Sequence, residues 1–580
     1  MVEKNLSSSK GKGNLSLNKN NSLLNLKILI FIFLISGENI KILSQDLYEI
    51  ALIIEGKGNG YQPIIYDGYY AQPYQVFVNG EEKTSCIKTC DLPEGQNTVI
   101  LKFNNEIDTC TNMFHGLNNI KEIDLSNFDV SHVENIDLMF GECSNLEKVN
   151  FGNIDTSSVQ NMYGLFQGCS NLTSIDLSNL DFSNVTNMAS MFLGCSSLEQ
   201  VNFGIRNTPS LEIVMTMFQG CTKLKSIDLS HFNFSHVTSL YGMFLFCSSL
   251  ETINFGNINT TSINNMGLLF YGCSNLTSMD FSNWDLSNVQ NMEQMFQGCS
   301  NLLNINFRDI KSSSVENIKG LFQSCSKLTS IDLSYFNFSK IRYMDITFQD
   351  CSNLKNIDFG NIKFSSLESI SYLFQNCKSL ISIDLSNFDT SKVQSFEFLF
   401  CECSKLESIN LLNFNTLQIK NMEFMFTGCS NLRYLNLSNF NTSQVKNMKY
   451  MFAGCSSLRY LDLSNFNTSK IENINSMFYG CVFLKYLNLY LFQINSTVNY
   501  ENAFYDISSK AIICIHDEET KNLLLSPEKI SFSFCSDECF NLNNSKLDIK
   551  NELCVESCLN TSDQYEYNSV CYNKCPNGTL

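Results

Sequence analysis

Proline, tryptophan and histidine are scarce in this sequence, and their scarcity narrows the possible functions. The 580 residues include six Pro, one Trp and five His. The five His form no pair with metal-ligand spacing, and no Gly-rich phosphate loop or nucleophile elbow is present. The formal net charge of −18 repels phosphate backbones, which argues against nucleic-acid binding. We therefore expect no catalytic residue, cofactor or metal site, and no enzymatic activity.

Long apolar runs are also missing, with one short exception near the start. Ile28–Ile35 is an uninterrupted apolar run that follows a Lys-containing polar stretch. This pattern predicts a secretory signal peptide and leader over residues 1–44, and the alternatives are a buried strand or an uncleaved anchor. Eight residues are too few to span a bilayer, and no apolar tail follows Cys575. We expect a secreted protein, or one tethered by something the sequence does not show.

A strict internal repeat dominates the rest of the chain. Phe recurs from Phe114 to Phe504 in fifteen steps of 26 residues, without an insertion, and Cys follows the same period from Cys143 to Cys481 in fourteen copies. Such self-similarity is typical of repeat architectures, because each unit is too small to bury its own apolar face. We therefore assign a solenoid of sixteen 26-residue units to residues 112–506.

Two apolar periodicities lie within each unit. In the unit that begins at Cys455, alternation around Asp462 predicts a short half-buried strand. The spacing i, i+3, i+6, i+7 then predicts two helical turns with one apolar face, formed by Ile471, Ile474, Met477 and Phe478. The fold class is an α/β solenoid, with a parallel β-sheet on one face and short helices on the other.

The amino-acid sequence of the repeat resembles that of a known family. The stretch Met451–Cys481, MFAGCSSLRYLDLSNFNTSKIENINSMFYGC, is similar to the BspA-like leucine-rich-repeat surface proteins of bacteria and protists. The resemblance implies a leucine-rich-repeat-type superhelix displayed outside the cell, with adhesion or host and matrix binding as its use. It implies no particular binding residues. The Phe-rich I-N-F-G copies depart from the commoner L-D-L-S-N-F form.

The fourteen repeated cysteines have two possible roles. They could form a redox or metal array, or they could be small buried side chains. The equivalent positions at the ends of the array are Leu117 and Ile507, and a ligand or disulfide position would not tolerate aliphatic residues. We expect buried free thiols.

A polar column and an aromatic column lie on the predicted outward face of the sheet. Asp124, Asp176, Asp228, Asp280 and Asp332 alternate with Asn150, Asn202, Asn254 and Asn306, which predicts a solvated, hydrogen-bonded ladder without a metal site. Further along, tyrosines flanked by cations form the candidate protein-binding patch: Tyr434, Tyr460, Tyr486, Arg433, Arg459 and Lys485. The alternative is aromatic packing that stabilises the C-terminal edge of the sheet.

The regions that flank the array lack its period. Residues 45–111 predict an N-terminal β-rich cap module with strands at Tyr48–Glu55, Tyr74–Val78 and Asn97–Phe103, and two of its three cysteines are expected to pair. Residues 507–531 predict a C-terminal cap with a strand and a helix. Residues 532–580 predict a cysteine-rich extracellular module whose disulfides, of undetermined connectivity, involve Cys535, Cys539, Cys554, Cys558, Cys571 and Cys575. Several N-x-S/T sequons fit export and glycosylation.

These features favour a non-enzymatic function outside the cell. We expect a secreted or cell-surface protein that mediates adhesion or protein recognition through its exposed sheet, with an extracellular protein or a host or matrix surface as partner. The alternative is a structural surface-coat or self-assembling protein without a specific external ligand, because a regular solenoid fits both roles.

Overall fold

The computed structural model describes residues 48–524 except 59, 206, 309 and 362, and beyond them the backbone of five short strands. The expected signal segment, residues 1–44, lies outside the described residues. The same holds for the six cysteine side chains expected to form disulfides beyond residue 531: Cys535, Cys539, Cys554, Cys558, Cys571 and Cys575.

The first part of the described chain is a β module whose strands lead directly into the array. Its strands are β1 (Tyr48–Gly56), β2 (Tyr61–Pro63), β3 (Gln75–Val78), β4 (Glu81–Glu82), β5 (Thr89–Asp91), β6 (Gly95–Lys102) and β7 (Ile120–Phe128). One sheet has the order β4-β3-β6-β1-β7-β8, antiparallel as far as β7 and parallel between β7 and β8. Cys86 and Cys90 form a disulfide, which confirms that two of the three cysteines pair, and Cys110 is a buried free thiol.

The array contributes one short strand to most of its coils. These strands are β8 (Lys148–Asn150), β9 (Ser174–Asp176), β10 (Gln200–Asn202), β11 (Ser226–Asp228), β12 (Thr252–Asn254), β13 (Ser278–Asp280), β14 (Asn304–Asn306), β15 (Ser330–Asp332), β16 (Asn356–Asp358), β17 (Ser382–Asp384), β18 (Ser408–Asn410), β19 (Tyr460–Asp462) and β20 (Tyr486–Leu489). Strands β9 to β18 pair in parallel two by two with a register of 26 residues, such as Ile227 of β11 with Ile253 of β12. The predicted parallel sheet is therefore confirmed.

Another parallel pairing continues the sheet beyond the last repeat. β21 (Ile512–Ile515) pairs with β20 and is followed by α1 (Glu518–Leu524), close to the strand and helix that the sequence predicts there. β22 (Ser531–Phe534) extends the same sheet. A separate sheet has the order β24-β23-β26-β25, formed by β23 (Lys546–Asp548), β24 (Leu553–Val555), β25 (Tyr565–Tyr567) and β26 (Val570–Tyr572).

The predicted short helices of the repeat are wrong, since α1 is the one helix in the part of the chain that the structure describes. The segment opposite each strand is a series of turns with two positive-φ residues per coil, such as Ser476 (φ 53°) and Gly480 (φ 72°). Alternate amides donate to the following coil, as Ile474 does to the Asn499 carbonyl at 2.8 Å, while others close local turns, as Met477 does to the Ile474 carbonyl at 3.1 Å.

Strand spacing gives the physical reason for this difference. Parallel strands lie about 4.8 Å apart, whereas an α-helix with its side chains is about 10 Å wide. Turns that hydrogen-bond to the next coil keep the same rise as the sheet, and helices would not. The apolar residues that suggested a helical face, Ile471, Ile474, Met477 and Phe478, are nevertheless buried.

Two columns of side chains run through the core of the array. The repeated Phe rings stack from Phe114 to Phe504 with centroids 5.3–6.1 Å apart. Beside them the fourteen cysteines from Cys143 to Cys481 are free thiols with no exposed surface. Each thiol donates to the carbonyl oxygen of the Phe 29 residues earlier, with sulfur–oxygen distances of 3.0–3.2 Å. The expectation of buried free thiols is confirmed.

Candidate binding surface

The outward face of the sheet carries polar pairs rather than one continuous ladder. Asn202 Nδ2 donates to Asp176 Oδ1 at 3.0 Å, and the same oxygen accepts the Ser178 amide at 3.0 Å. The Ser178 bonds, followed by the Asn202 bond, hold the pKa of Asp176 below its usual value. Asn254–Asp228 and Asn306–Asp280 repeat the arrangement. Each pair joins an Asp coil to the Asn coil that follows it, so alternation of the two residues orients both side chains.

The array also places two carboxylates in neighbouring strands where the alternation ends. Asp332 and Asp358 are register partners in β15 and β16. Over the residues that the structure describes, no group of three or more His, Cys, Asp or Glu side chains is arranged to hold a metal ion.

The tyrosine column is present, but its exposure changes along it. Tyr460 and Tyr486 are register partners in β19 and β20, and Tyr434 precedes them by one coil in a segment without an assigned strand. Tyr434 is 38% exposed, whereas Tyr460 and Tyr486 are half-buried. Burial, with a smaller contribution from the Asp462 charge, raises the pKa of Tyr486. The C-terminal end of the column is thus packed and its other end is accessible.

The cations beside the tyrosines are all exposed: Arg433, Arg459 and Lys485. The backbone fixes their spacing, because the Lys485 amide donates to the Arg459 carbonyl at 2.8 Å. Three positive charges therefore lie on three consecutive coils of an otherwise acidic chain.

A second aromatic column was missed in the sequence. Tyr372, Phe398, Phe424 and Tyr450 stack on the turn face with centroid distances of 4.6, 4.5 and 4.8 Å, and all four are half-buried. Lys449 Nζ lies 5.6 Å from the Tyr450 ring centroid. The 26-residue spacing of these four rings is the signal that could have revealed the column.

A cleft of about 690 Å³ on the outward face was also missed. It opens at β13 and β14, and residues that depart from the repeat line it. Trp284, Arg308 and Tyr335 stand where the equivalent residues 52 positions away are Phe, Gly and Asn. The departures are separated in sequence by about one coil each, so no local motif reveals them.

Taken with its register and core, this architecture defines the class of the protein. Over the described residues it is a parallel β-solenoid of about fifteen turns with little helix. In the described part of the chain, no helix has the length and apolar character needed to cross a membrane.

The family follows from the sequence of the array. The family described as "Mycoplasma protein of unknown function, DUF285" matches residues 108–227, 212–331, 301–408 and 398–513. These four overlapping matches cover more than half of the chain, and the chain belongs to this family. No curated protein matches it.

Several solved structures are similar to this chain. A leucine-rich repeat protein from Bacteroides ovatus is 18% identical, with 81% of this chain and 100% of that chain covered and a TM-score of 0.30. The pneumococcal vaccine antigen PcpA is 14% identical, with 63% and 79% covered and a TM-score of 0.33. A leucine-rich repeat protein from Eubacterium ventriosum is also 14% identical, with 63% and 84% covered and a TM-score of 0.29.

Proposed function

We propose that this protein recognises another protein outside the cell through the outward face of its sheet, by surface complementarity and without chemistry. One observation carries the proposal: near Tyr434, three exposed cations lie on consecutive coils. These cations are Arg433, Arg459 and Lys485. Arginine and tyrosine are enriched at the energetic centres of protein interfaces. A basic strip on a chain of net charge −18 also favours an acidic partner surface.

Support for a non-enzymatic role comes from the side chains that chemistry would use. The fourteen ladder thiols are buried, and burial raises their pKa, to about 12 for Cys143, so they stay protonated and unreactive near neutral pH. His132 Nε2 pairs with Glu106 at 2.9 Å on the exposed surface, away from any cleft that we identify. Neither the ladder thiols nor the His132–Glu106 pair thus brings a nucleophile and a base together in a cleft.

The cysteine states support an extracellular location. Cys86–Cys90 is a disulfide at the start of the described chain, and Cys514 at its end is also disulfide-bonded. Disulfides persist in oxidising compartments, and the ladder thiols escape oxidation because they are buried. We also propose a signal peptide in residues 1–44, caps at 45–111 and 507–531, a cysteine-rich module at 532–580, and the BspA-like surface proteins as the finer family.

The test reverses the charges of the basic strip. The full chain is used to capture partners from extracellular matrix and cell-surface extracts, and affinity is then measured with the purified partner. We expect the triple variant Arg433→Glu, Arg459→Glu, Lys485→Glu to bind at least about tenfold more weakly, because it replaces attraction by repulsion across the interface.

A matched control carries the same change of charge elsewhere. Lys225 and Lys355 occupy the same column on isolated coils, and Lys223 is a nearby exposed lysine. The variant Lys223→Glu, Lys225→Glu, Lys355→Glu should bind as the parent does. Equal losses in both variants would mean that net charge, and not this strip, governs binding. Retained binding in both would remove the strip as the contact surface.

A further inference from the structure

The cleft at β13 and β14 lies where one glycine of the repeat is replaced. In the coils that contain I-N-F-G, the glycine turns tightly against the preceding coil: Gly256 has φ +57°, and a Cβ there would lie 2.9 Å from Ser230 Cα. A side chain is strained in that conformation. Arg308 occupies the equivalent place after β14 and is not among the positive-φ residues of the described chain. The turn at Arg308 therefore does not repeat the closed glycine conformation.

Polar side chains that line the cleft are held in position by hydrogen bonds. Asn306 Nδ2 donates to Asp280 Oδ1 at 2.9 Å, and the Ser282 amide donates to the same oxygen at 2.9 Å. Neither bond uses Oδ2 of Asp280. Asn254 and Asn304, from the neighbouring strands, add amide groups to the same lining. The cleft thus offers donors and acceptors side by side.

Aromatic rings also line the cleft. Tyr335 is 42% exposed and lines the cleft. Trp284 is 5% exposed and is held by edge contacts to Phe281 and Phe255, with centroids 5.0 and 5.1 Å away. A lining that combines aromatic rings with polar side chains suits a ligand with one apolar face and a rim of hydroxyl groups.

We propose that this cleft binds a neutral oligosaccharide. A sugar hydroxyl both donates and accepts, which matches paired amide and carboxylate groups, and the C–H face of a sugar ring packs on an exposed aromatic ring. The cleft holds three carboxylates, Asp280, Asp332 and Glu251, against the single cation Arg308, so sulfated or phosphorylated glycans are repelled. Arg308 within the lining and the hydrogen bonds that Asp280 already accepts disfavour a basic peptide.

This inference goes beyond the proposed protein recognition and has an independent readout. Trp284 is the single Trp of the chain and lines the cleft, so intrinsic tryptophan fluorescence reports on this site alone. The full chain is titrated with soluble chito-, cello-, manno- and galacto-oligosaccharides of two to six units. We expect a saturable change in intensity or emission wavelength with at least one of these series.

Two variants and one control make the test specific. Tyr335→Ala should weaken binding by about tenfold or more, the change expected for loss of one stacking ring. Arg308→Gly restores the residue of the repeat and should close the cleft, with a similar or greater loss. Tyr163→Ala removes a ring that is 38% exposed on another coil and should leave binding unchanged. Far-UV circular dichroism of each variant verifies that the fold is intact.

Several outcomes would overturn the proposal. These are the absence of a saturable signal with every oligosaccharide series, equal binding by the parent and both cleft variants, and tighter binding of sulfated oligosaccharides than of neutral ones. A lysine-rich peptide that gives the signal where sugars do not would identify a protein site instead. None of these outcomes depends on the Arg433, Arg459 and Lys485 strip.

Discussion

The buried cysteine ladder predicts an unusually steep loss of stability at alkaline pH. Burial raises the pKa of each of the fourteen thiols above the reference value of 9.0. In the unfolded chain these thiols ionise near that reference value. Above pH 9 the unfolded state therefore binds fewer protons than the folded state, and the free energy of unfolding falls as pH rises. Below about pH 8 the thiols are almost fully protonated in both states and contribute little pH dependence.

The magnitude follows from the number of thiols. At pH 10, one unit above the unfolded pKa, each thiol lowers the free energy of unfolding by about 1.4 kcal/mol. Fourteen thiols together lower it by about 20 kcal/mol, which exceeds the roughly 5–15 kcal/mol of an ordinary domain. If the coils unfold in groups, as solenoids do, the loss is still about 1.4 kcal/mol for each coil that carries a thiol.

The assay is urea unfolding followed by far-UV circular dichroism at pH 7, 8, 9 and 10. The urea midpoint should hold between pH 7 and 8 and fall sharply by pH 10. Tyr and Lys side chains also titrate in this range, so a variant that keeps them is needed. Alanine replaces four ladder residues in that variant: Cys273, Cys299, Cys325 and Cys351.

Alanine is a suitable replacement because the thiol is a second donor to its acceptor. The Phe270 carbonyl accepts the Cys273 amide at 3.0 Å as well as the Cys299 thiol, so it keeps a partner when the thiol is removed. We expect the variant to lose about 6 kcal/mol less than the parent at pH 10. An unchanged urea midpoint at pH 10, or equal losses in parent and variant, would refute this reasoning. So would labelling of most ladder thiols in the native protein at pH 8.

Three further predictions concern the packing and turns of the array, each measured by urea unfolding. Phe296→Ala should cost about 3–5 kcal/mol and Phe296→Leu clearly less, because this ring has no exposed surface and stacks on both sides. Gly256→Ala should cost at least about 1 kcal/mol, since its φ is +57° and a Cβ would lie 2.9 Å from Ser230 Cα; no loss would contradict the closed turn. Thr416→Val should cost about 1–3 kcal/mol, because Thr416 Oγ1 donates to the Asn441 carbonyl at 2.9 Å and also accepts the Asn441 amide, and an unchanged midpoint would show that these bonds add nothing.

The sequence predicts which side chains form the buried columns of this fold better than it predicts the local backbone conformation. The strand around Asp462 and the burial of the Phe and Cys columns are correct, because alternation and a strict period report which side chains point inward. The helical turns are wrong, because apolar spacing fits either a helix or successive turns. The deciding feature is the positive φ at Ser476 and its equivalents, which ordinary residues such as Leu138 and Tyr450 adopt without a glycine to mark them.

The candidate sites show the same division. The Tyr460–Tyr486 pairing follows from the 26-residue period, but the burial of Tyr486 depends on the chain beyond the last repeat, where its hydroxyl lies 3.2 Å from Cys514 Sγ. The cleft depends on Arg308 and Tyr335 from different coils, and on a turn conformation that no local pattern specifies. The residues of such a site differ from the repeat consensus in separate coils, and they come together when the coils stack.

The hydrogen bonds between successive coils limit how this protein can change in length. The Ser190 amide donates to the Met215 carbonyl, and the same 25-residue offset recurs wherever alternate amides of the turn face donate to the next coil. Gain or loss of one residue in a turn would change this offset for every donor and acceptor that lie on either side of the change, and so would mismatch that coil with its neighbours. Gain or loss of a whole coil would leave each remaining donor opposite an equivalent carbonyl. Variants of this array should therefore differ in length by multiples of 26 residues, so that the solenoid lengthens or shortens by whole coils.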